Sequence, residues 1–178
     1  MQYTTTTEID RHLQKAQEAL MFLKKTTVLQ RATLMHYIAD AIEALGKELL
    51  ITAQQETNLP EARLATEKAR TVFQWRSYAD ALATGNVLAV RIDTALPNRM
   101  PAPKPDLRKI YLPVGIVTVF CASNFPFAYS TGGGDTASAI AAGCPVVVNA
   151  HSAHVQTSVI MAGAIAAGIE KAGYPSSI

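Results

Sequence analysis

Ile116-Val117-Thr118-Val119-Phe120-Cys121-Ala122-Ser123-Asn124-Phe125-Pro126 is the stretch on which the fold turns. Its first half is a nearly continuous apolar run, which suits a parallel strand covered on both faces. A polar turn at Ser123-Asn124 follows, then Phe125-Pro126 and a segment compatible with a helix over roughly 127–142, closed by Gly143. Val146-Val147-Val148 is a second, shorter apolar run, and Val155 to Ala172 reads as another helix that stops at Gly173. Strand, helix, strand, helix is the βαβ arrangement of a nucleotide-binding sheet. The fold class is therefore α/β.

Upstream the periodicity is helical. Thr7-Glu8-Ile9-Asp10 has a capping-box pattern, and Ile9, Leu13, Ala16, Leu20 and Leu23 then recur at helical spacing. A second helix carries Val28, Met35, Ile38, Ile42 and Leu45 on one face, and Gly46 suits its left-handed C′ position. A third spans Glu48 to Thr57 with Asn58 as its stop. Pro60 fits the first turn of a fourth, whose inner face would be Ala65, Ala69, Val72, Arg76 and Ala79, with Trp75 a packing residue. Gly85-Asn86 ends it.

Between the two halves, Val87 to Asp93 is β-branched and extended, and Leu107 to Leu112 alternates charged and apolar residues. Pro97, Pro101, Pro103 and Pro105 prevent regular structure between them. Two such strands form a hairpin-like arm whose free edge suits pairing with another subunit. The chain thus divides into an N-terminal helical segment (1–86), an extended oligomerisation-type arm (87–112) and a partial Rossmann-like nucleotide-binding segment (113–178). An ordered core is implied by 49% hydrophobic against 17% charged residues, which excludes global disorder.

A net charge of +2 argues against a nucleic-acid footprint or a polybasic membrane patch. No stretch reads as a membrane span, and Met1-Gln2-Tyr3 with the threonines after it lacks the pattern of a signal peptide. Cys121 and Cys144 are too few for a disulfide framework and lack metal-ligand spacing, so both read as reduced, buried and structural. These features together point to a cytoplasmic protein.

Asn124 falls at the carboxyl end of a buried strand, the edge where open α/β sheets bind ligands. There its side-chain amide is either a neutral donor aimed into a cleft or a turn residue bonded to its own backbone. His151-Ser152-Ala153-His154 has no companion ligands, so no metal site is expected. Gly132-Gly133-Gly134 lacks the Lys-Ser/Thr of a phosphate loop, and Asp135 would repel a phosphate. Close approach of a helix to the sheet is the better account of these glycines. His12 and His36 lie within helical segments and carry no assigned role.

Asn124-Phe125-Pro126 after an apolar strand resembles the aldehyde dehydrogenase superfamily. The longer run from Pro113-Val114-Gly115 through Gly133-Gly134-Asp135-Thr136-Ala137-Ser138-Ala139 to Ala142-Gly143-Cys144-Pro145-Val146-Val147-Val148 is similar to one branch. That branch oxidises 2-oxoglutarate semialdehyde (2,5-dioxopentanoate), and its relatives act on fatty aldehydes with NADP. Glu56-Thr57-Asn58-Leu59-Pro60, Arg91-Ile92-Asp93 and Leu96-Pro97 fit it too.

The resemblance implies an NAD(P)-dependent enzyme in which a cysteine thiolate attacks an aldehyde. Hydride then passes to the nicotinamide, and a glutamate-activated water releases the acid. It implies that Asn124 donates to the oxyanion, that Phe120, Cys121, Ala122 and Ser123 pass along NADP or NAD, and that Asn149, His151 and Ser152 lie against the adenosine ribose. Asn149 stands where the family usually has a lysine, so a 2′-phosphate loses a charged partner and NADP binding would weaken. Cys121 and Cys144 do not match the nucleophile, which the resemblance places with the glutamate base beyond Ile178. The 178-residue chain alone is accordingly expected to be inactive. A homo-oligomer acting on a small-molecule aldehyde is the implied whole. The competing expectation is a non-catalytic, truncated module that binds a nucleotide or a partner subunit.

Overall fold

The threonine run and the glutamate behind it start the first helix. In the computed structural model, which describes residues 4–178, α1 spans Thr6–Leu23. The absence of a signal peptide at Met1-Gln2-Tyr3 lies outside the described residues. The cap is Thr5 with Glu8, not Thr7 with Asp10. Glu8 accepts from the Thr5 N–H at 2.8 Å, and the Thr5 hydroxyl accepts from the Glu8 N–H at 3.3 Å. The run offers several hydroxyls, and glutamate has the reach to return to the N-cap amide.

The second helix, α2 (Val28–Ala44), has its own capping box in Thr27 and Gln30. Gly46 does not end it in the left-handed conformation. With φ at −80° it is the N-cap of α3 (Lys47–Thr57). The end of α2 is held instead by Lys68, which donates to the carbonyls of Glu43 (2.9 Å) and Leu45. Asn58 closes α3 at φ 56°, as a left-handed stop should.

Pro60 precedes α4 (Glu61–Ala83), and Gly85 follows it at φ 72°. The buried face of α4 is Leu64, Glu67, Thr71, Val72, Trp75, Ala79 and Leu82. Ala65 and Ala69 are exposed and Arg76 is half-exposed. The expected small-residue face is therefore rotated, because the larger apolar side chains take the core and the alanines tolerate either side.

The core centres on α2, which packs against α4 on one side and α6 (Val155–Lys171) on another. Leu34, Met35, Ile38, Ala39, Ile42, Trp75, Phe127, Ile140 and Met161 belong to one buried cluster. Gly168 lets α6 approach: a Cβ there would lie 2.7 Å from the Ile38 Cα. The stretch Ser152–Lys171 is long and apolar enough to cross a membrane by length and composition, with a mean hydropathy of 1.3, contrary to the sequence reading. Its alanines and glycines disguise that length, and Met161, Ala164, Gly168 and Ile169 are buried as in a core helix.

The arm is β1 (Arg91–Asp93) paired antiparallel with β2 (Leu107–Lys109), Arg91 opposite Lys109. Every residue of both strands is exposed, rather than half-buried. Residues 86–88 form a 3-10 turn instead of extending the strand. The second sheet is β3 (Val117–Phe120) beside β4 (Val146–Asn149), parallel, with Val117 opposite Val146 and Phe120 opposite Asn149. It is not covered on both faces. Val119 is buried, but Thr118 and Phe120 are exposed toward a groove of about 780 Å³, which α1 borders with Ile9 and Leu13.

Candidate functional site

The parallel pairing puts the carboxyl ends of β3 and β4 side by side, and the candidate residues gather there. The ladder runs one bond further, from the Cys121 N–H to the Asn149 carbonyl at 3.2 Å. The chain then turns, and the Ala122 N–H donates to the Tyr129 carbonyl at 2.8 Å to close a loop over 122–129.

Asn124 is exposed in this loop, and among the described residues its side-chain amide has no hydrogen-bond partner. The alternative of a turn asparagine bonded to its own backbone thus finds no support in the geometry. The backbone around it is held firmly. Arg63 on α4 donates to the Asn124 carbonyl at 2.7 Å, with its guanidinium 5.1 Å from the Phe125 ring centroid. Phe125 meets Tyr129 edge-to-face at 5.1 Å, and Arg70 donates to the Tyr129 hydroxyl at 2.9 Å.

The loop is anchored from below by two buried groups. Glu67, 5% exposed, accepts from the Phe127 and Ala128 N–H groups at 2.8 and 2.9 Å. His154, fully buried, uses Nε2 to donate to the Ala122 carbonyl at 2.8 Å. Its Nδ1 then faces the Ser158 hydroxyl at 3.4 Å.

Residues 127–133 are turns, and the helix expected over 127–142 is reduced to α5 (Gly134–Ala141). Ser130, Thr131, Gly132 and Gly133 are poor helix formers, so the helix begins only at Gly134. Trp75 adds a bond from Nε1 to the Gly132 carbonyl at 2.7 Å, and is itself fully buried. The three glycines permit close packing, but against this turn and the helices rather than the sheet. A Cβ at Gly133 would lie 2.3 Å from the Ala128 carbonyl oxygen, and one at Gly134 would lie 2.9 Å from the Gln74 amide.

The candidate cofactor residues share the same edge. Phe120 is 73% exposed, Ser123 and Asn149 are exposed, and Ala122 is half-buried. Cys121 is 8% exposed, just past the end of β3, so only its backbone can face a ligand. His151 accepts from the Ala153 N–H through Nδ1 at 3.0 Å, which leaves Nε2–H as a donor beside the exposed Ser152. These neutral groups fit the hydroxyls of a ribose.

The first amides of α6 are not free for a phosphate. Glu56 on α3 accepts from the Gln156 N–H (2.9 Å), the Thr157 N–H (2.8 Å) and the Thr157 hydroxyl (2.7 Å). Burial pushes the Glu56 carboxyl up, but the bonds from Thr157 and Gln156 and the nearby His154 outweigh it and hold it below its usual range. With those amides taken, this helix terminus offers no free donors to an anion.

Among the described residues no group of three or more His, Cys, Asp or Glu could hold a metal. Both nitrogens of His154 are engaged within the protein. Cys121 and Cys144 are free, buried thiols.

Sequence reasoning missed Arg63, Glu67, Glu56 and the anchoring role of His154. Each acts on a residue far along the chain: 61 positions from Arg63 to Asn124, 100 from Glu56 to Gln156. The one local signal was a carboxylate, Glu67, in phase with the apolar face of α4 at Leu64 and Thr71.

A profile of the aldehyde dehydrogenase family matches residues 1–178. The alpha-ketoglutaric semialdehyde dehydrogenase of Acinetobacter baylyi is 48% identical over 172 residues, which is 97% of this chain and 33% of that protein. Alpha-ketoglutaric semialdehyde dehydrogenase 2 of Azospirillum brasilense is 46% identical over 171 residues, covering 96% of this chain and again 33% of the relative. The chain thus spans about a third of the length of these curated relatives. Among solved structures, the glyceraldehyde-3-phosphate dehydrogenase of Methanocaldococcus jannaschii complexed with NADP superposes with a TM-score of 0.80 at 19% identity, over 99% of this chain and 36% of that one. The succinate-semialdehyde dehydrogenase of Burkholderia pseudomallei gives 0.76 at 24% identity, over 96% and 33%.

Proposed function

This chain belongs to the aldehyde dehydrogenase family, and on that premise we propose that it supplies the oxyanion-holding and cofactor-lining part of an NAD(P)-dependent enzyme. The enzyme oxidises an aldehyde to a carboxylic acid, with 2-oxoglutarate semialdehyde the substrate favoured by the two curated relatives. One observation carries the reading: Asn124 presents a free amide at the strand ends while the backbone on either side of it is clamped.

When an aldehyde carbon is attacked by a thiolate, its oxygen becomes an oxyanion. The Asn124 amide donates to that oxygen. Arg63, Glu67 and His154 hold the loop so that little reorganisation accompanies the charge, and one such donor is worth about 3 kcal/mol of barrier. The nicotinamide cofactor, when bound, accepts the hydride that leaves this carbon. The backbone of Phe120, Cys121, Ala122 and Ser123 lies along it, and Asn149, the His151 Nε2–H and Ser152 meet the adenosine ribose. None of these three is a fixed cation, so a 2′-phosphate is held less well than a hydroxyl. The nucleophile and the base are expected outside these residues, because Cys121 and Cys144 are buried away from solvent.

The arm of residues 87–112 serves a homo-oligomer in the same proposal. Ile92 and Leu107 are more than half exposed on strands with free edges. Free thiols suit a reducing cytoplasm.

The test begins with the intact mass of the protein carrying these residues in its native cell, followed by assay of that protein. Aldehyde-dependent NAD(P)H production is expected with 2-oxoglutarate semialdehyde. Asn124→Ala should lower kcat by about 10²–10³ with cofactor affinity unchanged. An Asn124→Ala enzyme of full activity would end the oxyanion assignment. The 178-residue chain by itself is expected to form no NAD(P)H, and turnover by it would show that a nucleophile had been overlooked.

A further inference from the structure

Arg31 is a buried charge without a counter-charge. It lies on α2 and is 7% exposed. Its Nη1 donates to the Thr26 carbonyl at 3.2 Å and the Thr26 hydroxyl at 3.3 Å. Its Nε is buried and has no partner, and no carboxylate pairs with the guanidinium among the described residues. The groups that face it are the Tyr174 hydroxyl, the Cys144 thiol and the Gly143 backbone, where a Cβ would come within 3.5 Å of Cζ. Burial raises the Tyr174 pKa, which keeps that hydroxyl protonated. Burial also lowers the pKa of Arg31, but a guanidinium does not deprotonate in a protein. Buried charges are paired in folded proteins because the desolvation is otherwise uncompensated.

The same side chain forms one wall of a cavity of about 270 Å³. Val87, Leu88 and Leu112 make an apolar wall, and Tyr78 and Tyr111 complete it. Neither tyrosine hydroxyl has a hydrogen-bond partner among the described residues. The cavity lies at the root of the arm and the C-terminal end of α5, where Ala142 leads through Pro145 into the amino end of β4. It is thus at the opposite end of the strands from Asn124.

We propose that this cavity binds a small aliphatic carboxylate, its head on Arg31 and its chain against Leu88 and Leu112. A single cation and mostly apolar walls match a monoanion with a hydrocarbon tail. A phosphate dianion would call for further donors or a second cation. The volume falls just below the range of pockets for drug-sized ligands, which suits a short acid.

The experiment is ¹H–¹⁵N NMR of the labelled 178-residue chain titrated with butyrate, with butyramide as the uncharged isostere, and with inorganic phosphate. Butyrate should shift the Arg31 Nε–H and Ala142 N–H signals saturably, and butyramide should bind at least tenfold more weakly. Phosphate should give no saturable shift. Arg31→Gln should abolish the effect. Because that variant could lose its fold, Ala142→Leu provides a second test: it fills the cavity from an exposed helix end and leaves Arg31 in place. It should weaken butyrate at least tenfold with Tm unchanged.

Equal binding of butyrate and butyramide would overturn the proposal, as would an Ala142→Leu chain that binds butyrate normally. Phosphate competing as well as butyrate would overturn the carboxylate assignment. Arg31 signals that follow protein concentration and ignore butyrate would give the counter-charge to a second copy of this chain, which also defeats it.

Discussion

Two loops that each present exposed residues are held in opposite ways. Residues 122–128 are pinned by Arg63 and Glu67 on α4 and by His154 ahead of α6, each bond reaching from a different part of the sequence. The arm of residues 87–112 is held mostly to itself, by the β1–β2 ladder and the Leu96–Lys104 bridge. The Tyr111 N–H closes its root on the Leu88 carbonyl, and the Leu88 and Ala89 N–H groups join it to Gly85 and Asn86 next to it in the chain. Exposure therefore means different things in the two places. The first loop offers one free side chain on a fixed backbone, which suits chemistry. The second offers a strand edge and apolar side chains, which suits another polypeptide.

Removing Glu67 should damage that contrast most. Glu67→Ala leaves two buried amides without an acceptor and should cost about 3 kcal/mol in urea unfolding, with Glu67→Gln recovering part of it. A loss under about 0.5 kcal/mol would mean that the loop is not pinned from below. Trp75→Phe orphans the Gly132 carbonyl and should cost about 1–2 kcal/mol, read in the same way.

Glu56 sharpens the comparison through pH. Its folded pKa is depressed, so its contribution is present above the ordinary carboxylate pKa and is lost as pH falls through the lower folded value. Glu56→Gln should therefore be less stable by about 1 kcal/mol at pH 7, and the gap should narrow below about pH 4. A gap that is constant with pH would assign the loss to packing. The smallest effect on unfolding should come from the arm. Ile92→Lys with Leu107→Lys should change stability by less than about 0.5 kcal/mol. The same pair should shift sedimentation toward smaller species, and an unchanged sedimentation profile would remove the arm from the assembly.

The sequence was most legible where the information is local. Helical periodicity located α1 to α4, Asn58 marked the stop of α3 and Gly173 that of α6, and the apolar runs located β3 and β4. The turn at Ser123-Asn124 placed the candidate donor at the strand ends for the same reason. Local reading failed where a distant side chain decides. The segment 127–133 reads as helix, but Glu67 and Trp75 hold its serine- and glycine-containing run as turns. Gly46 looked like a helix stop, yet Lys68 supplies that stop from α4. Glu67 at least falls in phase with Leu64 and Thr71, but Arg63 sits among other charges of α4 in the context of a solvated face. Nothing short of the fold distinguishes Arg63 from Lys68 or Arg70.

The cap on α6 bears on how the chain is made. The carboxylate that finishes this last helix resides on α3, 100 positions earlier, and residues of α2 to α6 share one buried cluster. During synthesis the N-terminal helices emerge first, and their apolar faces must wait for α5 and α6 before the cluster can close. When α6 does emerge, its N-terminal amides meet an acceptor already mounted on a helix. Long-range closure of this kind slows folding and couples its halves, so the helices and the βαβ unit should melt in a single transition.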